Sequence, residues 1–185
     1  QGIRDEDTAM SVACLELVDS LASGVLYSRH PFKPLDRDIL INAVWGLGPY
    51  AVDGVITPDV YRVSRHDRFN ISTMSISSKP VQLVRNPAGG LIERPVEAEK
   101  INSPCLSPDQ ISTLAGYAQQ LEEHYHQPQD VEWALDPDGR IFLLQARPLQ
   151  QRVPSEAATR ERPRLGRYTV LLEEGSVASP GVGFG

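Results

Sequence analysis

The sequence lacks any apolar run approaching the roughly 18–20 residues that a membrane-spanning helix needs, and no signal-peptide pattern opens it. It has no excess of positive charge: 18 Lys and Arg against 24 Asp and Glu give a net charge of −6. No basic stripe is therefore available for repeated phosphate contacts, which argues against nucleic acid as a partner but leaves room for a local phosphate site. Cysteine is scarce, with Cys14 and Cys105 far apart and in no metal-type pair, so a reduced, cytoplasmic protein is expected. No internal repeat occurs. The chain opens at Gln1 rather than Met, in a polar stretch, which suggests a segment of a longer polypeptide.

What is present is ordinary globular composition, 41% hydrophobic and 23% charged over 185 residues, enough for one domain with a core and an appendage. Short apolar segments at 12–18, 24–28, 38–45, 60–63, 71–76, 81–84 and 91–96 lie between Gly, Pro and polar breaks and read as strands. Residues 86–90, Asn-Pro-Ala-Gly-Gly, make a hairpin-type turn. One helix is clearly marked. Ser107 is its N-cap, Pro108 its first residue, and Gln110 lies three residues after the cap. Ile111, Leu114, Ala115, Ala118 and Leu121 then follow on one face, and the helix should end near Tyr125, before Pro128. Residues 150–167 are rich in charge and proline, with few apolar residues, and read as a linker; 168–185 begin something new and Gly-rich.

The segment 130–147 reads as a hairpin turning at Pro137-Asp138-Gly139. Placing Asp136 opposite Ile141 sets Glu132 opposite Gln145 and Asp130 opposite Arg147. Because strand side chains alternate, one face carries Asp130, Glu132, Gln145 and Arg147. The other carries Val131, Trp133, Leu135, Phe142, Leu144 and Ala146, all expected in the core. Two carboxylates and an amide oxygen suit Mg2+, a hard cation that completes its shell with phosphate and water. A guanidinium beside them can grip a phosphate. The same pattern also fits a plain solvated face with a surface ion pair between Asp130 and Arg147. Gly46-Leu47-Gly48 fits either a phosphate cradle or a plain turn. His124 and His126, an H-x-H near a helix end, fit solvated histidines better than a zinc site. Trp45 and Trp133 read as core.

Five blocks in order carry a family resemblance. Asp130-Val131-Glu132-Trp133-Ala134 and Leu143-Leu144-Gln145-Ala146-Arg147-Pro148 resemble the paired strands of phosphoenolpyruvate synthases and related dikinases. Ser23-Gly24-Val25-Leu26-Tyr27-Ser28-Arg29, Ala43-Val44-Trp45-Gly46-Leu47-Gly48 with Gly54-Val55-Ile56-Thr57-Pro58-Asp59, and Leu106-Ser107 through Ala118 resemble three more. Leu15, His30 and Pro49 depart from the pattern, standing where Gln, Asn or Asp, and Glu are common. The resemblance implies an α+β fold, the carboxy-terminal lobe of an ATP-grasp domain over residues 1–149, mainly antiparallel sheet with a few helices. It implies ATP and Mg2+ as cofactors. Glu132 and Gln145 match the magnesium ligands, Arg147 a residue engaging the transferred phosphate, and Asp130 its acidic neighbour. Backbone around Glu16 and Leu17 would contact the adenine, and Lys79 would contact phosphate unless it is an ordinary exposed lysine.

The residues from 168 onward resemble the opening of a phosphohistidine domain. The carrier histidine is expected beyond this chain, because no histidine follows His126. The implied parent passes phosphate from ATP through that histidine to pyruvate. Its remaining parts would be an amino-terminal lobe, the phosphohistidine domain and a pyruvate-binding barrel. An antibiotic or a glucan as acceptor, or a non-catalytic nucleotide-binding module, are the alternatives.

Overall fold

Alternating burial along the strands sets the architecture. In β2 (Ile39–Trp45), Ile39, Ile41, Ala43 and Trp45 are buried while Leu40 and Asn42 stand half-exposed on the other side. This is the period-2 pattern of a strand with one packed face. The computed structural model describes residues 14, 16–33, 35–65 and 69–151. Among these, β1 (Ala22–Tyr27), β2, β3 (Asp59–Val63), β4 (Ile71–Ser75), β7 (Gln129–Leu135) and β8 (Ile141–Pro148) form one antiparallel sheet in the order β4-β3-β2-β1-β7-β8. A separate hairpin pairs β5 (Val81–Arg85) with β6 (Leu91–Pro95) around the expected 86–90 turn.

The packed face collects Leu26, Ile41, Tyr61, Val131, Trp133 and their neighbours under α2 (Pro108–Tyr125). That helix begins as its sequence dictates. The Ser107 hydroxyl accepts from the Gln110 N–H at 3.3 Å and the Gln110 side chain accepts from the Ser107 N–H at 2.8 Å, a reciprocal capping box. Ile111, Leu114, Ala115 and Ala118 are buried against the sheet, and His126 closes the helix in the left-handed conformation with φ 54°. The architecture is α+β, mostly antiparallel sheet with few helices. A four-residue helix not expected from the sequence, α1 (Pro49–Val52), starts on Pro49. The expected strand at 12–18 is not formed over 16–18, and residues 12, 13 and 15 lie outside the described residues, as do 152–185.

Two buried polar knots tie the elements together. Asp59 accepts hydrogen bonds from the Lys79 ammonium at 2.5 Å, the Ser77 N–H at 2.9 Å, the Tyr61 hydroxyl at 3.0 Å and the Cys105 N–H at 2.9 Å. One carboxylate thus fastens β3 to the 77–79 segment and to the loop leading into α2. Packed beside that charge in the core, the Tyr61 phenol and the Cys105 thiol are both pushed well above their usual range, burial being the larger cause and Asp59 the next. At the other end of α2, Glu122 accepts from the Ser28 hydroxyl at 2.7 Å, from Arg29 Nε at 2.8 Å and from Arg65 Nη2 at 2.6 Å. Burial works against its charge, but these donors outweigh it and hold the carboxyl below its usual range.

Candidate functional site

α2 covers one face of the sheet, and the opposite face carries the candidate chemistry. The register defines rows of side chains across that open face. Glu132 pairs with Gln145 on β8 and with Val25 on β1, and Val25 pairs with Asn42 on β2. One step along, Asp130 pairs with Arg147 and with Tyr27, and Tyr27 with Leu40. One step the other way, Ala134 pairs with Phe142 and with Ser23. The structure therefore brings Asp130, Glu132, Gln145 and Arg147 onto one face in the pairing the sequence suggested, with directly opposed side chains about 4.5–5.5 Å apart at Cβ.

The hairpin departs from the expected register beyond that point. A shift falls between Glu132 and Trp133, so that Trp133 pairs with Leu143 and Leu135 with Ile141, and Leu144 is left as the extra residue of a bulge. The expectation that Asp136 faces Ile141, and that Phe142 and Leu144 lie in the core, is corrected accordingly. One inserted residue moves the β8 side chains between it and the turn, 141–143, to the other face. Phe142 now lies on the open face, and Phe142 and Leu144 are 37% and 43% exposed. Ala146 is also exposed, because β8 is the edge strand and nothing described packs over it.

Those displaced apolar residues line a cleft. A cavity of about 510 Å³ is bounded by Glu16, Leu17, Val18, Leu47, Gly48, Pro49, Val52, Asp53, Glu132 and Leu144. A contiguous hollow shares Glu16, Leu17, Val18 and Leu144 and extends to Phe142 and Arg85. Glu16 and Leu17 are thus brought to the same cleft as Glu132. Val52, Phe142 and Leu144 are site residues that sequence reasoning missed. The run Phe142-Leu143-Leu144 was the available signal, since three successive apolar residues on an edge strand break the alternation that an unbulged hairpin would keep.

At the far end of the face, Arg147 Nε donates to Asp130 Oδ2 at 2.9 Å, and Nη2 makes an ion pair with the same oxygen at 2.9 Å. The hydrogen bond to Asp130 and that residue's charge raise the Arg147 pKa further, so the guanidinium is a permanent cation held in one orientation. Asp130 Oδ1 is buried and has no hydrogen-bond partner. The Tyr27 phenol is raised above its usual range by partial burial and then by Asp130, against the opposing effect of Arg147. It is a proton donor at any neutral pH.

Lys79 is not brought to this cleft. It has no exposed side-chain surface, and its ammonium is bonded to Asp59 and to the Ser77 carbonyl at 2.7 Å. The Gly46-Leu47-Gly48 segment is occupied as well. The Gly46 N–H donates to Leu21 O at 2.9 Å, and the Leu47 N–H donates to Leu83 O at 2.8 Å. Gly46 has φ +74°, and a Cβ there would sit 2.3 Å from the Leu83 carbonyl oxygen. The glycine exists to let β5 dock against the end of β2. His124 and His126 are exposed, and no group of three or more His, Cys, Asp or Glu among the described residues could hold a metal. Any cation on the open face would therefore use few protein ligands. No helix among the described residues is long and apolar enough to cross a membrane.

The chain is similar in sequence to known proteins. The chain is 34% identical to the phosphoenolpyruvate synthase of Pyrococcus furiosus, over 100% of this chain and 23% of that protein. It is 34% identical to the phosphoenolpyruvate synthase of Aeropyrum pernix, over 98% of this chain and 26% of that protein. A rifampicin phosphotransferase from Streptomyces sp is 32% identical over 83% of this chain and 17% of that protein. The chain therefore spans about a quarter of the length of the synthases it matches. Residues 1–165 match the family described as pyruvate phosphate dikinase, AMP/ATP-binding domain, and with an apolar cleft leading onto a carboxylate, amide and guanidinium face, the chain belongs to that family.

Proposed function

We propose that this chain is the carboxy-terminal lobe of an ATP-grasp domain and that its open sheet face holds Mg-ATP. The observation that carries the reading is the order of chemistry along β7 and β8. Apolar Phe142 and Leu144 stand at one end, the oxygen donors Glu132 and Gln145 in the middle, and the cation Arg147 with Asp130 at the other end. Successive rows lie two residues apart, so the three span about 13 Å. A nucleotide laid along the face puts its base in the apolar cleft against Leu17 and Leu144, with the backbone around Glu16 and Leu17 within reach of the base edge. Its phosphates then run past Glu132 and Gln145 toward Arg147.

Glu132 and Gln145 fit Mg2+, since a carboxylate and an amide oxygen directly opposed are the hard, sparse donors it takes. Bound Mg2+ would neutralise charge on the phosphate oxygens during transfer. Arg147 meets the terminal phosphate, and Asp130 fixes the guanidinium so that little reorganisation is needed when charge develops. Lys79 acts structurally in this reading, as the buried partner of Asp59.

In the full-length polypeptide, an amino-terminal lobe closes over the nucleotide. A histidine in the domain that begins near residue 168, beyond the 150–167 linker, accepts the phosphate, and a barrel delivers it to pyruvate. The similarity to phosphoenolpyruvate synthases supports pyruvate as acceptor; the similarity to a rifampicin phosphotransferase supports an antibiotic as the second reading. The test uses the full-length polypeptide. Glu132→Ala should abolish phosphorylation of the histidine by ATP and leave labelling of that histidine by phosphoenolpyruvate intact. Loss of both half-reactions in a folded protein, or of neither, overturns the assignment of Glu132.

A further inference from the structure

The row that ends in Arg147 contains one polar group to which no role has been given. Tyr27 stands on β1 beside Asp130, which stands beside Arg147 on β8. The row therefore reads long, short, long across three strands spaced about 4.8 Å apart. Arg147 reaches in over the short carboxylate, so its guanidinium and the Tyr27 phenol stand in one row on either side of Asp130. Both flanking groups are hydrogen-bond donors. Arg147 is 55% exposed and uses only Nε and Nη2 on Asp130, which leaves Nη1 and the outer N–H of Nη2. The Tyr27 phenol makes no hydrogen bond among the described residues, although its ring is half-buried between Leu40 and Asp130 in the register.

A phenol anchored by its half-buried ring, with its hydroxyl unengaged on the open face, is pre-organised for a ligand rather than for the fold. Its neighbours decide which ligand. Asp130 is neutralised by Arg147, so the row presents a guanidinium and a hydroxyl to an incoming group, and the next row toward the cleft presents Glu132 and Gln145. A multiply charged oxyanion is the matching ligand, because it can accept from both donors at once.

We infer that the Tyr27 hydroxyl is a phosphate-binding group, donating to an oxygen of the terminal phosphate that Arg147 also grips, and that Tyr27 helps the face distinguish a nucleoside triphosphate from a monophosphate. The inference rests on the nucleotide reading above. A monophosphate with its base in the Leu17–Leu144 cleft ends near the Glu132 row and does not reach Tyr27. Only a longer phosphate chain gains the bond. The interaction adds affinity for the ATP end of the reaction and none for AMP.

The test is Tyr27→Phe in the full-length polypeptide, with calorimetry of Mg-ATP and of AMP on both proteins. The substitution deletes one hydroxyl that has no hydrogen-bond partner among the described residues, so thermal stability should match the parent. Mg-ATP should bind about tenfold more weakly, the usual loss for a hydrogen bond to a charged group, with AMP affinity unchanged. Unchanged affinity for both nucleotides overturns the inference. An equal loss for both overturns it too, since that would mean Tyr27 shapes the cleft as a whole. If the parent protein itself binds neither nucleotide, the nucleotide reading fails, and the assignment of Tyr27 falls with it.

Discussion

Removing the Asp59 carboxylate should be among the most damaging single changes in this chain. Asp59 and Lys79 are both fully buried. In Asp59→Ala the ammonium keeps only the Ser77 carbonyl, while the N–H groups of Ser77 and Cys105 and the Tyr61 hydroxyl lose their acceptor. Breaking one side of a buried ion pair costs about 3–5 kcal/mol. That is a fifth or more of the roughly 5–15 kcal/mol by which a domain is stable. Lys79→Met breaks the same pair and should be the milder of the two, at the lower end of that range, about 3 kcal/mol. The carboxylate left behind still accepts from Ser77, Tyr61 and Cys105. Urea denaturation can follow both variants through the fluorescence of Trp45 and Trp133, which are 8% and 1% exposed. If Asp59→Ala lies within about 1 kcal/mol of the parent, or Lys79→Met is the worse of the two, the carboxylate does not organise this knot. In the full-length polypeptide, Lys79→Met should leave Mg-ATP affinity unchanged, because the ammonium lies in the core rather than on the open face.

Glu122 should give the stability curve an acid limb. Its carboxyl is held below the ordinary value of 4.5, so its contribution is complete above that value and is lost as pH falls through the depressed one; Glu122→Gln should flatten unfolding midpoints measured across that range. Gly46→Ala should cost about 1–3 kcal/mol, since φ +74° and the Leu83 carbonyl both oppose a side chain, and hydrogen exchange should show β5 losing protection first. Leu144→Asp should leave thermal stability intact, because the residue is 43% exposed, yet weaken Mg-ATP binding in the full-length polypeptide by at least about tenfold in calorimetry, since a carboxylate replaces apolar surface under the base.

Strands were legible as short apolar runs between Gly, Pro and polar breaks. β1, β2, β3, β5, β6 and β7 lie within a residue or two of the segments read from the sequence, and the capping box announced α2. The hairpin was legible as far as its register is regular. Asp130, Glu132, Gln145 and Arg147 share a face because their pairing lies beyond the shift, away from the turn. The shift itself was not legible, because an extra residue is a matter of strand geometry at an edge and leaves only the apolar run 142–144 as a trace. That single residue converts Phe142 and Leu144 from expected core to the lining of the cleft. Lys79 was misjudged for a different reason. A lysine reads as a surface group unless the carboxylate that neutralises it is known, and Asp59 lies twenty residues away in sequence. α1 was hidden by its length, four residues, too short to show a helical period.

The account turns on whether the open face of β7 and β8 receives a nucleotide in the stated direction. The most direct measurement is a crystal structure of the full-length polypeptide with a non-hydrolysable ATP analogue and Mg2+. It should show the base between Leu17 and Leu144, the cation bridging Glu132, Gln145 and the phosphates, and the terminal phosphate against Arg147. A nucleotide bound elsewhere, or lying on this face with its base at Arg147 and its phosphates in the Leu17–Leu144 cleft, would contradict the account.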